Sequence, residues 1–201
     1  MKIMEEHTAP AEQIEKKKEF WKDLGKLLII ALVVVVPFRL YIAQPFIVDG
    51  ASMDPTFSTG QYLIVDELTY HFKTPERGSV IIFKYPKDPS KYFIKRIIGL
   101  PGETVTINDG TVSIKTPNAE NSFIIKEPYV KFTKKDDSSI TLDVNEYFVL
   151  GDNRFGSADS RMWGPMPTKD IIGRPILRVW PPTIWPGDET GLLKSENVQT
   201  N

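Results

Sequence analysis

Ser52 and Lys95 are the two side chains whose surroundings could supply a nucleophile and its base. Ser52 lies in Gly50-Ala51-Ser52-Met53-Asp54-Pro55-Thr56. Ser, Asp and Pro each favour turns for local reasons, so taken alone the segment reads as a turn. The chemical reading is that Gly50 lets the backbone approach a substrate closely, while Pro55 stiffens the loop carrying the hydroxyl. That reading needs a group to take the serine proton. The chain has no cysteine and only His7 and His71. Disulfides, thiolate nucleophiles and cysteine-based zinc sites are therefore excluded, and a Ser-His-Asp mechanism would have to run through His71. A different base is expected.

Lys95 stands in Tyr92-Phe93-Ile94-Lys95-Arg96-Ile97-Ile98. Strand alternation places Phe93, Lys95 and Ile97 on one face and Ile94, Arg96 and Ile98 on the other, so a cation must share an apolar face. A lysine desolvated there has a depressed pKa and can be neutral near pH 7. The competing reading is an edge-strand lysine that snorkels to water. A third segment, Gly151 to Pro165, is dense in Gly, Asp, Asn and Ser, which predicts a loop bonded to its own backbone. Asp152, Asn153, Ser157 and Asp159 could also ligate calcium, but their spacing lacks the EF-hand pattern and its terminal Glu.

Four segments in order, PFIVDGASMDPT (45–56), RGSVIIFKYP (77–86), YFIKRIIGLPGE (92–103) and GDNRFGSADSRMWGP (151–165), resemble the conserved boxes of bacterial type I signal peptidases. The resemblance covers most of residues 20–180 and is weakest between about 105 and 143. It implies a serine endopeptidase that removes signal peptides from exported preproteins after small residues, in the pattern Ala-x-Ala, through a Ser-Lys dyad and an acyl-enzyme. By the same resemblance Ser52 is the nucleophile, Lys95 the general base and Arg96 a supporting residue. Ser157 would orient the lysine ammonium, and Asp159 and Arg161 would pair to support the site. Phe46, Val48, Met53, Phe57, Phe93 and Ile94 would wall the substrate pockets, although core packing is their ordinary role.

Some family members carry a serine, whose hydroxyl helps bind the oxyanion, where this chain has Gly50. Ser79 stands where the family usually reads Asp, and Phe57 where Leu is common. Two other readings stay open: a self-cleaving protein of the LexA type, which uses the same dyad on a related fold, and a catalytically silent, membrane-tethered β-domain that binds exported peptides.

These residues need a scaffold. From Phe46 onward the sequence breaks into short β-branched and aromatic runs separated by turn residues, with Asn108-Asp109-Gly110 a strong hairpin signal. A mostly β fold follows, a barrel or folded sheet of the signal-peptidase and LexA kind by resemblance. Before it, Leu27–Phe38 is uncharged and shorter than the roughly 20 residues that span a bilayer. Extended to about 23–43, with Lys26 and Arg39 snorkelling near its ends, it becomes a plausible single transmembrane anchor. Lys16, Lys17, Lys18, Lys22 and Lys26 precede the uncharged run and no Lys or Arg follows Arg39 until Lys73, which places the N-terminus in the cytoplasm and the remainder outside. A cleaved secretory signal is the main alternative, and a buried core helix of a soluble protein a second.

The expected organisation is a cytoplasmic tail (1–22), an anchor (23–43), an extracytoplasmic catalytic β-domain (44–187) and a polar C-terminal tail (188–201). With 25 basic against 26 acidic residues, nothing suggests nucleic acid. The partners expected are signal peptides and a lipid bilayer, bacterial or organellar, for a monomer without metal or cofactor.

Overall fold

The computed structural model describes residues 9–36, 44–180 and 182–184. The chain divides into a helical unit, 1–42, and a β unit, 43–201.

In the helical unit, α1 (Ala9–Ile30) continues through a wider, π-type stretch at Ala31–Val35. The boundary expected near residue 22 is not marked by any break, because α1 runs through it. From Leu27 to Val36 every large aliphatic side chain is exposed. No helix among the described residues is long and apolar enough to cross a membrane. Residues 37–43 of the expected anchor, and the expected tail 188–201, lie outside the described residues.

The β unit holds two antiparallel sheets. The larger uses β1 (Gln44–Ile47), β2 (Tyr62–Asp66), β3 (Val80–Tyr85), β4 (Asp88–Gly99), β9 (Glu146–Leu150), β10 (Met166–Pro167) and β11 (Ile171–Trp180), with β12 (Thr183–Ile184) on β11. Its order, β1-β2-β11-β3-β4-β9-β10, leaves an end at each side among the described residues, so the sheet is open. The smaller sheet has the order β7 (Phe123–Ile124), β6 (Thr111–Lys115), β5 (Thr104–Asn108), β8 (Ser138–Thr141). Asp109 and Gly110, with φ of 48° and 81°, join β5 to β6 as the two central residues of a tight hairpin turn.

Period-2 burial explains most strands: in β5 and β6, Val105, Ile107, Val112 and Ile114 point into a core shared with Ile98, Phe148 and Leu150 of the larger sheet. The apolar run 122–132 differs. Only Phe123–Ile124 pairs as strand, and the chain then leaves the sheet, because Glu127 and Tyr129 are drawn to buried partners elsewhere. A second core packs Val48, Met53, Phe57, Leu63, Val65, Val80 and Ile82 together, and a third joins Ile81, Phe83, Ile97, Tyr147, Val149 and Met166. The second fixes the loop after β1; the third backs β4.

Candidate active site

The loop after β1 is stitched at both ends. Val48 N donates to Gln61 O at 2.9 Å and Gly60 N to Val48 O at 2.9 Å, while Phe57 N donates to Met53 O at 2.9 Å. Met53 and Phe57 are each 0% exposed. This corrects their expected place: they pack in the second core and do not line the cleft, where they act as pins that hold Ser52 between them and β1. Gly50 has φ +96°, a backbone conformation that L side chains rarely adopt, with open space where a Cβ would project.

Lys95 enters from β4, opposite Ile81 of β3, and is 4% exposed. Its Nζ lies 2.8 Å from Ser52 Oγ and 2.9 Å from the Ile94 carbonyl oxygen, with the Phe93 ring centroid 5.2 Å away. No carboxylate pairs with this amine among the described residues. Burial depresses its pKa from 10.5 to about 8, against the smaller opposing pull of the Asp159 and Asp152 charges. Both adjacent cations are buried, since Arg96 is 1% exposed on the opposite face.

Arg96 is treated differently from its neighbour. Its Nε and Nη2 donate to the two Asp152 carboxylate oxygens at 2.8 and 2.7 Å, and Nη1 donates to Gly78 O at 2.8 Å. Thr56 Oγ1 donates to the same Asp152 at 2.5 Å, which ties the nucleophile loop to the pair. Asp159 accepts two bonds from the Arg161 guanidinium, both at 2.8 Å, and one from Gly151 N at 3.1 Å. Burial opposes ionisation of Asp159, yet the Arg161 pair and the Gly151 N–H hold its carboxyl below the ordinary value. With Asp152 and Asp159 both committed to guanidinium groups, the calcium reading loses its charged ligands.

Ser157 Oγ is buried without a hydrogen bond of acceptable geometry, though it is near enough to Asp159 to help keep that acid ionised. The expected bond from Ser157 to Lys95 is not made. Gly151 explains where the hydroxyl sits: a Cβ there would collide with Ser157 Oγ and with the Ser52 carbonyl oxygen. Asn153 completes the seam, donating from N to Ser52 O at 3.1 Å and from Nδ2 to Ala51 O at 3.0 Å.

A cleft of about 280 Å³ opens beside Ser52 and Lys95. Of the residues considered as pocket walls, Phe46, Val48, Phe93 and Ile94 line it, together with Gly50. Leu63, Ile82 and Tyr92 also line it and escaped the sequence reading. Strand spacing could have found Tyr92, two residues before Ile94. Leu63 and Ile82 needed the sheet order that brings β2 and β3 beneath β1 and β4. Two strand edges flank the cleft: β1 ends its sheet, and the β4–β9 ladder begins only at Arg96.

A serine hydroxyl and a buried amine at hydrogen-bond distance, set in an open-edged β cleft, have the chemistry that acyl transfer to a serine requires. Residues 21–180 match the family described as signal peptidase, peptidase S26. A probable signal peptidase I-2 of Synechocystis sp. is 33% identical over 180 residues, 84% of this chain and 80% of that protein. The signal peptidase I of Leptolyngbya laminosa is 35% identical over 164 residues, 78% of each chain. Signal peptidase I P of Bacillus subtilis subsp. natto is 33% identical over 172 residues, 80% of this chain and 89% of that one. The chain belongs to the S26 signal peptidase family and is a serine peptidase.

Proposed function

We propose that this peptidase is membrane-tethered and removes signal peptides from exported preproteins, with Ser52 as nucleophile and Lys95 as general base. The observation that carries the reading is the 2.8 Å separation of Lys95 Nζ from Ser52 Oγ, with the amine buried and unpaired by any carboxylate among the described residues. With a pKa of about 8, on the order of one Lys95 in ten is neutral at pH 7, against fewer than about one in a thousand at the ordinary lysine value. Neutral Lys95 takes the Ser52 proton, the alkoxide attacks the scissile carbonyl, and the ammonium so formed protonates the leaving amine. Water, deprotonated by the same amine, then hydrolyses the ester and frees both groups. Ser52 N–H makes no hydrogen bond among the described residues, which leaves it free to donate to the oxyanion in the absence of a side-chain donor at Gly50.

An extended peptide laid against the free edge of β1 or β4 gains main-chain hydrogen bonds while its alternate side chains face the cleft. The apolar walls and limited volume favour small residues next to the scissile bond, in keeping with Ala-x-Ala. Tethering is supported by the exposed aliphatic residues around Leu27–Val36, since a helix apolar all round needs lipid or protein about it. The test uses the full chain in detergent with an Ala-x-Ala preprotein. Ser52→Ala and Lys95→Ala, each folded by circular dichroism, are expected to abolish cleavage, and substantial turnover by either would sink the dyad. Cleavage at an Ala-x-Ala site that persists after both Ala residues become Leu would sink the specificity.

A further inference from the structure

The chain between β7 and β8, residues 125–137, forms a strap with side-chain ties to three guanidinium groups behind the dyad. Glu127 pairs with Arg154, the two side chains being 9% and 3% exposed. Tyr129 lies with its ring centroid 4.0 Å from the Arg96 guanidinium carbon and donates its hydroxyl to Glu127 at 2.9 Å. Asp136 accepts from Arg161 Nη1 at 2.8 Å.

Each of these cations has a second tie that leads towards Ser52. Arg154 Nε donates to Gly151 O at 3.1 Å, Arg96 holds Asp152 and through it Thr56, and Arg161 holds Asp159, which accepts from Gly151 N. The Gly151–Asn153 backbone in turn packs on the Ser52 carbonyl with no room for a Cβ at Gly151. Glu127 touches neither the dyad nor the cleft, yet its side chain, 9% exposed, faces Arg154, the arginine that grips Gly151 by its carbonyl.

We propose that Glu127 is a positioning residue: through Arg154 it fixes the Gly151–Asn153 backbone, and so the Ser52 hydroxyl, against Lys95. The inference rests on the Ser52–Lys95 dyad. A buried ion pair is weak evidence for stability, because desolvation offsets much of the attraction. Fixing geometry is where such a pair has most to contribute, since a misplacement of about 1 Å can cost on the order of 100-fold in rate. Removing the charge of Glu127 leaves Arg154 desolvated and unmatched, and a turn of its side chain towards water releases Gly151 O.

The test measures kcat and KM on a preprotein for the full-length detergent-solubilised enzyme, normalised to folded protein. Glu127→Gln is expected to lower kcat by about 10- to 100-fold with KM within about twofold, because no cleft residue is altered. Arg154→Met is expected to lower it similarly, and the double variant to be no worse than either single one. Losses that multiply, or a kcat of Glu127→Gln within about threefold of wild type once normalised, would overturn the proposal, leaving Glu127 a support of the fold alone. Should Glu127→Gln not fold, Tyr129→Phe carries the test: it keeps the ring over Arg96, removes one bond to Glu127 and is expected to lose severalfold in kcat, and an unchanged kcat overturns the proposal. Ser52→Ala in the same assay separates the two ideas, since residual turnover there would strike at the dyad, whereas a dead Ser52→Ala with an intact Glu127→Gln strikes only at the strap.

Discussion

Replacing Lys95 with Met should abolish activity and at the same time make the protein more stable near neutral pH. Burial lowers the Lys95 pKa from 10.5 to about 8. The unfolded chain therefore binds this proton more readily than the folded one between those values, and native stability rises with pH across that window. Below pH 8 the folded state carries a buried ammonium that costs about 3 kcal/mol relative to the unfolded chain; above about pH 10.5 the cost is gone. Met is close to Lys in volume and carries no charge, so Lys95→Met removes the cost. It also removes the contacts to Ser52 and Ile94, each worth about 1 kcal/mol, so the net gain is smaller than the cost removed, and the part that varies with pH belongs to the charge. The advantage of the variant over wild type should shrink by about 2 kcal/mol between about pH 7 and about pH 9.5. Urea unfolding of both proteins at the two pH values measures it. A difference that stays constant with pH would mean that Lys95 titrates alike in folded and unfolded chains, and the desolvated base would be refuted.

The catalytic counterpart is a rise of about tenfold in kcat/KM between about pH 7 and about pH 9, as the neutral fraction of a base with a pKa of about 8 goes from roughly a tenth to nine tenths. A profile flat over that range would leave the serine without this base. Gly151→Ala places a methyl group against the Ser52 carbonyl oxygen, and single-turnover kinetics should show kcat reduced by at least about 100-fold in a folded protein. Phe57→Ala opens the second core and should cost about 3–5 kcal/mol in urea unfolding. It should leave the preference for small over bulky residues unchanged per folded molecule, whereas a relaxed preference would return Phe57 to the cleft wall.

The parts of the site that follow from local pattern were legible in the sequence. Alternation around Lys95 and Arg96 assigns them to opposite faces, and Asn108-Asp109-Gly110 specifies its turn because residues there must take positive φ. Met53 and Phe57 were misassigned for a physical reason. A large apolar side chain in a loop has no periodicity to say which way it points, and only the packing against Leu63, Val65 and Val80 decides it. The strap was invisible because Glu127 and Arg154 are 27 positions apart and each resembles an ordinary surface charge until the fold buries both. Ser157 shows the opposite limit: its segment is recognisable, but whether its hydroxyl reaches Lys95 is a matter of rotamer and distance that no spacing encodes.

On the proposed dyad, the neighbouring cations of β4 call for a lysine at one position and an arginine at the next. A buried cation either finds a carboxylate or loses its proton. Arg96 cannot lose its proton, since a guanidinium stays charged at any accessible pH, so its face of the strand must supply an acid, and Asp152 meets it in a two-point contact that also anchors Thr56. Lys95 can lose its proton, and among the described residues it meets a hydroxyl, a carbonyl and an aromatic ring, with no carboxylate at hydrogen-bond distance. Exchanging the two residues would place a permanent charge beside Ser52, where it could accept nothing, and a lysine beside Asp152, where the pair would hold it protonated. One strand thus carries a structural charge and a removable one a single residue apart, and the alternation of the strand keeps the carboxylate of the first from pairing with the second.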